Sequence, residues 1–508
     1  MCKMVSSASI DFAKEILEPV LDMIHNQEKR NAFFINDTYY SYKDFGGYIS
    51  AIRSEVKSCG DNEDKVGLVI NDDIQTYAGI FALWLEGKCY VPLHPQWPLE
   101  RCEEIVGQIG LSHIIDSSSE TRYKNVNVIK TGEFEPDFKE LERSVSVPES
   151  ALAYILFTSG STGKPKGVQI SRQNVAAFMA AFWKTGISVD KEDRCLQCFD
   201  LSFDVSVQSY LVALTKGACV YTVPSGEIKF LGVAGLVEDK KITFGAIAPS
   251  VLRYLQPYYE EIDFSSLRQC IVTAEASPID LVENWRKYAK KVEVYDFYGP
   301  TEATVYSTYY KVIGNGNDKT YNGIISIGKP MDQFVSIIID DEGKVVKDGE
   351  KGELCIAGPQ LSVGYWNDEE KNAKSFFDFE YEGKVHRFYH TGDLCFVGDE
   401  GNIMYSGRID NQAKIQGFRV ELSEIEFHAH TFLQGVNVVC VAFENEKKLT
   451  EIAMFIESPE MDTQDLIAYL RTKMPQYMIP TKIVFEQKFP INTNGKIDRK
   501  KLKSSIIS

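Results

Sequence analysis

The run LFTSGSTGKPKGV, Leu156–Val168, packs small, hydroxylated and basic residues into one short stretch. An apolar segment, ALAYILF (151–157), leads straight into it. Ser159, Gly160, Ser161, Thr162 and Gly163 offer small side chains, hydroxyls and backbone N–H groups, and Lys164 and Lys166 add positive charge. Glycine allows close approach and successive N–H groups form an anion nest, so such a loop can wrap a polyphosphate. The order does not match GxxxxGK[ST], and Val168–Ile170 reads as a strand rather than a helix, which excludes the usual P-loop. A glycine-rich hairpin turn is the bland reading. Two lysines, a proline and four hydroxyls within Thr158–Gly167 argue against it.

A second stretch, DFYGPTE (296–302), carries groups of a different kind. Gly299-Pro300 forces a turn, so Tyr298 and Thr301-Glu302 can converge on one place. Tyr298 offers a flat face for a purine, Asp296 an acceptor for an exocyclic amine, and Glu302 a hard oxygen ligand suited to Mg²⁺. A strand followed by an ordinary turn is the plain alternative.

These stretches belong to an ordered series with GKCYVPLHPQWPLER (87–101), FDVS (203–206), YHTGD (389–393), GRIDNQAKIQGFRVE (407–421) and NGKID (494–498). The series resembles the motifs of the adenylate-forming superfamily, which contains acyl-CoA synthetases, luciferases and nonribosomal peptide synthetase adenylation domains. The resemblance covers nearly the whole chain. It implies ATP and Mg²⁺, with Thr158, Ser159, Gly160, Ser161, Thr162, Gly163 and Lys166 on the phosphates. It further implies Tyr298, Gly299 and Thr301 around the adenosine, with Asp296 on the adenine amine, where the family usually has Asn. Asp393, Tyr405 and Arg408 complete the nucleotide site, Asp393 taking the ribose hydroxyls; a carboxylate can accept both hydroxyls of a cis-diol. By the same resemblance Glu302 holds the metal, and Thr158, Glu302 and Lys496 are catalytic. Lys496 bridges the substrate carboxylate and the α-phosphate, where a fixed cation stabilises the transition state more than the ground state. Lys500, Lys501 and Lys503 lie nearby, and a lysine in a basic run is ordinarily a solvated one. Asp410 corresponds to the hinge of a small domain that swings between an adenylating and a thiolating pose. Gly417 corresponds to the glycine beside the thiol tunnel.

Asp204 matches the aspartate that pairs with the α-ammonium of an amino acid, since a buried carboxylate needs a cation partner. FDLSFDVS contains two such aspartates, Asp200 and Asp204; spacing to the following helix favours Asp204, and a helix N-cap is the alternative for either. The rest of the acyl pocket carries over as Val205, Gln208, Ala246, Ile271, Thr273, Phe297, Val305 and Tyr306. The bulk of Gln208, Phe297 and Tyr306 points to a small amino acid. TAEAS (273–277) departs from the family's GGEAL, which leaves the alignment of Ile271 and Thr273 open. No carrier segment follows NGKID, and the C-terminal half resembles stand-alone D-alanine–carrier-protein ligases. The acceptor expected is therefore a separate phosphopantetheinylated carrier protein, docked in part by the basic tail. Two rivals stay open: an acyl- or aryl-CoA ligase using coenzyme A, which lacks an equivalent of Asp204, and a non-catalytic nucleotide-binding module.

Positioning such groups requires strands and helices in alternation. KVGLVI (65–70), Asp73–Glu86 and CYVPL (89–93) form one strand–helix–strand unit; RCLQCF (194–199), Ser206–Leu214 and CVYTV (219–223) form another. The class expected is α/β. The resemblance fills this in as a large N-terminal domain of parallel-sheet α/β subdomains plus a β-barrel-like subdomain, residues 1–409, and a small mobile α+β domain, 410–508. Residues 117–150 read as an irregular surface connection.

With 508 residues and 44% apolar content the chain is long enough for more than one core. A net charge of −17 argues against a nucleic-acid partner. No signal peptide or membrane-spanning run is visible, and eleven cysteines without framework spacing suit a reduced, cytoplasmic setting. The lone Cys195/Cys198 pair reads as buried apolar thiols rather than a metal site.

Overall fold

The computed structural model describes residues 10–60, 63–138, 141, 144–160, 163–224, 226–410, 412–491 and 497–507; Ser161, Thr162 and Lys496 lie outside the described residues. The chain is α/β, with two largely parallel sheets. Both strand–helix–strand units form where the apolar periodicity puts them. Strand Lys65–Val69 is followed by helix Ile74–Leu85 and strand Cys89–Leu93. The Asp73 carboxylate caps this helix by accepting the Thr76 N–H at 2.8 Å. Helix Ile74–Leu85 is apolar on nearly every side and is correspondingly buried.

A nine-stranded sheet carries the strands Phe244–Ile247, Gln269–Thr273 and Glu293–Tyr298 side by side and parallel. Its register sets Ala246 beside Ile271, and Thr273 beside Phe297. In open α/β sheets ligands bind beyond the carboxyl ends of such strands. A seven-stranded sheet ends in the antiparallel pair Leu152–Thr158 and Lys166–Ser171, which opposes Thr158 to Lys166 and holds the glycine-rich loop between them. Gly160 there has no room for a side chain: a Cβ would stand 1.9 Å from the Lys164 carbonyl oxygen. A five-stranded antiparallel sheet, which includes Lys384–Val397 and Ile403–Arg408, supplies the barrel-like part.

The described part of 117–150 is without helix or strand apart from one short strand. Asn127–Lys130 extends the seven-stranded sheet as an edge strand, parallel to His113–Asp116. Four residues of mixed polarity give too short an alternation to stand out; a ready neighbouring strand completes them.

Beyond residue 410 come the hairpin Gln412–Ile415/Phe418–Glu421, helix Leu422–Phe432 and a three-stranded sheet. Two apolar clusters, one around Ile425, Met454 and Leu470 and one around Phe455, Phe489 and Leu502, draw only on residues past 412. The largest cluster draws on none of them. The described cysteines are free thiols, Cys195 and Cys198 both buried. No helix among the described residues is long and apolar enough to cross a membrane.

Candidate active site

The nucleotide-type residues converge from three sheets. Asp393 is buried and accepts the Tyr298 hydroxyl at 2.5 Å and the Arg408 Nη1 at 2.9 Å. Tyr298, Gly299, Tyr405, Arg408, Asp393 and Asp296 line one cavity of about 70 Å³. Asp296 is buried with Oδ2 unpartnered. A cavity walled by a tyrosine, an unpartnered acceptor and a buried carboxylate fits a nucleoside by chemistry. The Thr158 hydroxyl, at the mouth of the glycine-rich loop, is also buried without a partner.

The acyl-side residues come together below Thr301. Asp204, Val205, Thr273, Val305 and Thr301 line a separate cavity of about 10 Å³, room for roughly one water. Val205 and Gln208 sit one turn apart on helix Val205–Leu214, and the Tyr306 hydroxyl donates to Gln208 Oε1 at 3.3 Å. Phe297 and Tyr306 pack on one another with ring centroids 4.9 Å apart, but neither lines that cavity. Ile271 and Thr273 both belong to the strand flanked by Ala246 and Phe297; Thr273 lines the small cavity and Ile271 does not. Ala274, where the family's segment has a second glycine, takes φ +72°, and Val305 also has φ +72°. For a β-branched residue this is a strained conformation of the kind functional sites retain.

The two FDxS aspartates separate clearly. Asp200 is saturated: it pairs with His94 Nε2 at 2.7 Å and accepts both N–H and hydroxyl of Ser202, which outweigh burial and hold it at about 2. Asp204 stands at the N-cap position yet makes no cap bond; it is fully buried and its Oδ2 has no partner. Burial pushes its carboxyl up to about 6, and that of Asp296 up to about 7.

Residues that the motifs did not single out complete the site. The hairpin 412–421 reaches into the cleft. Arg419 Nη1 pairs with Glu302 Oε2 at 2.8 Å, and the Tyr365 hydroxyl donates to Glu302 Oε1 at 2.6 Å. Burial alone would raise Glu302; Arg419 and then Lys166 hold it at about 2. Both Glu302 oxygens are therefore engaged, and the residue suits a divalent cation only with Arg419 withdrawn. Ser159 Oγ donates to the Arg419 carbonyl and accepts the Glu421 N–H. Lys166 Nζ lies 3.4 Å from Glu421 Oε1 and is lowered to about 8 by burial with Arg419 beside it. Gly417, φ +86°, approaches Ala248 and Ala274, and next to the hairpin opens a cavity of about 580 Å³ lined by Ser250, Glu275, Lys414 and Phe418. Asp410 is bound by the Arg408 guanidinium and accepts the Gln412 N–H at 3.1 Å. Arg419 and Glu421 stand inside the GRIDNQAKIQGFRVE motif, where Gln412 bonds both; their partners Glu302 and Lys166, far off in sequence, leave no local signal.

The buried carboxyls give the fold a signed pH response. Unfolded, Asp204 and Asp296 protonate near 4. Folded, they protonate near 6 and 7, so acid loads protons onto the folded state first. Their contribution is full below about 4 and lost as pH rises through 6–7. The melting temperature of the substrate-free protein is expected to rise as pH falls from about 8 to about 5. A D204N/D296N variant, compared by calorimetry across that range, should show a visibly flatter curve; an identical slope would contradict the assignment.

The AMP-binding enzyme family model matches residues 23–366. The chain belongs to that family and is an AMP-binding enzyme of the adenylate-forming kind. It is 34% identical over 448 residues to tyrocidine synthase 2 of Brevibacillus parabrevis, covering 86% of this chain and 12% of that protein. It is 30% identical over 480 residues to zwittermicin A synthase ZmaJ of Bacillus cereus, covering 91% of this chain and 89% of that one. The Vibrio cholerae adenylation domain AlmE, solved in complex with glycyl-adenosine-5'-phosphate, superposes with a TM-score of 0.85 at 24% identity, over 97% of both chains. The chain thus spans about an eighth of the first of these relatives and most of the second.

Proposed function

We propose that this enzyme activates a small α-amino acid with ATP as aminoacyl-AMP, releasing pyrophosphate, and passes the acyl group to the phosphopantetheine thiol of a separate carrier protein. One observation carries the reading: a buried Asp204 whose Oδ2 has no hydrogen-bond partner, beside a one-water cavity that shares Ala274, Gly299 and Pro300 with the cavity lined by Tyr298 and Asp393. A buried carboxylate with an unfilled oxygen favours a cation, and an α-ammonium is such a cation. A cavity of about 10 Å³ favours a small side chain on the α-carbon.

The chain's groups then divide the work. Ser159, Gly160, Lys166 and the neighbouring loop hold the triphosphate. Asp296, Tyr298 and Asp393 orient the adenosine. Lys496 joins the attacking carboxylate to the α-phosphate, and the Thr158 hydroxyl serves the same step. Mg²⁺ on Glu302 would neutralise charge on the departing pyrophosphate.

We divide the chain into domains 1–409 and 410–508, meeting at Asp410. The hairpin inserted against Ser159, Lys166 and Glu302, with a 580 Å³ cavity alongside, supports the thiolating pose, the cavity suiting a pantetheine arm. Pyrophosphate exchange over amino acids, fatty acids and aryl acids tests the substrate class. Stimulation by acids lacking an amine, with none by amino acids, would favour the coenzyme A ligase.

The hinge makes a prediction of its own. Asp410→Pro fixes φ near −65° and should trap one pose. Either pyrophosphate exchange or carrier loading is expected to survive while the other collapses, with the melting temperature nearly unchanged. Equal loss of both in a folded protein would move the pivot elsewhere.

A further inference from the structure

We propose that Arg419, Glu421 and Glu424 form an ionic replica of magnesium pyrophosphate, carried by the small domain into the cradle that holds the real one. The proposal rests on the adenylate-forming reading of the site. Glu424 is completely buried just past the hairpin. Its Oε1 lies 2.6 Å from Arg101 Nη1, and its Oε2 accepts the Gly160 N–H at 2.9 Å. Glu421 faces Lys166, and Arg419 faces Glu302. Glu424 thus meets Arg101 and the Gly160 N–H, and Glu421, which also accepts Gln412 Nε2 at 2.5 Å, meets Lys166. A guanidinium meets the one carboxylate suited to the metal.

The signs match the substrate's point for point, and stability alone does not account for this. An apolar interface of the same volume would dock the domain as well or better than buried ion pairs. What an apolar interface cannot do is leave the cradle's charges satisfied in both states. With the small domain docked, Arg101, Lys166 and Glu302 pair with its side chains. With it withdrawn, they are free for polyphosphate and metal. No lone buried charge arises at either end of the swing. Arg101 closes the early GKCYVPLHPQWPLER motif, for which the nucleotide and acyl pockets offer no task, and here it gains one.

The consequence is mutual exclusion. Pyrophosphate in the cradle keeps the small domain out, and the domain docks only after pyrophosphate leaves. Hydrogen–deuterium exchange on the full chain reads this directly, with magnesium pyrophosphate as the probe and magnesium sulfate at equal ionic strength as the control. Amides in 418–425 should exchange at least about tenfold faster with saturating pyrophosphate than with sulfate, reporting undocking. E421Q/E424Q, nearly isosteric, should exchange fast already and respond little. Arg101→Lys, which keeps the charge but loses the fork, should fall between. The proposal is overturned if calorimetry finds no pyrophosphate binding, if bound pyrophosphate leaves 418–425 unchanged, if sulfate acts equally, or if the double variant behaves as the parent. These outcomes are separate from the functional reading, which fails instead if no carboxylate stimulates pyrophosphate exchange.

Discussion

Lys496→Ala is expected to lower amino-acid-dependent pyrophosphate exchange by ~10²–10³ while sparing most transfer from a supplied aminoacyl-AMP. The reason is electrostatic. Adenylation brings an anionic carboxylate against an anionic triphosphate, and charge then accumulates on the leaving pyrophosphate. One fixed cation at that point acts mainly on the transition state. Transfer to a thiol has no such crowding. The hairpin and Glu424 reach the cleft around Glu302 and Gly160. Measuring both half-reactions on one preparation decides the matter. If they fall together, one pose serves both steps.

Asp204→Ala is expected to abolish amino-acid use selectively. Leaving an ammonium without its counter-charge in a desolvated pocket costs roughly 3–5 kcal/mol, about 10²–10³-fold or more in affinity or rate. Nucleotide binding, followed by calorimetry, should persist, because Asp296, Tyr298 and Asp393 line a different cavity. The substrate-free protein should not be weakened in proportion to the functional loss. Asp204 is a buried carboxylate with one oxygen lacking a hydrogen bond, so its removal relieves a desolvation cost even as it opens a small void. A large functional loss with a melting temperature held or raised is the signature of a binding residue kept at the expense of stability. Unchanged exchange with amino acids would mean that the substrate has no amine.

Much of this was legible in the residues themselves. The glycine-rich loop announces itself because an anion cradle needs small residues, hydroxyls and lysines adjacent in sequence, and an apolar strand to aim them. DFYGPTE is readable for a similar reason: a Gly-Pro turn brings its neighbours together locally. The strand–helix–strand units follow from periodicity, whereas Asp204, Val205 and Gln208 came with the family resemblance.

What the sequence left open depended on pairings between distant positions. Asp200 and Asp204 have the same local setting, FDxS; His94, 106 residues away from Asp200, and Ser202 fill the first, while Asp204 Oδ2 keeps no hydrogen-bond partner. TAEAS does not say which strands flank Ile271 and Thr273; the fold sets Ala246 and Phe297 beside them. Edge strand Asn127–Lys130 exists because His113–Asp116 offers it a partner. Arg101 with Glu424 and Arg419 with Glu302 are 323 and 117 residues apart. Charge type is written in the sequence, but a charge acquires a role only from what the fold sets opposite it. Chemistry that lies within one turn or loop is encoded locally and can be read from the chain; chemistry made by two domains closing on one another is decided by the tertiary structure.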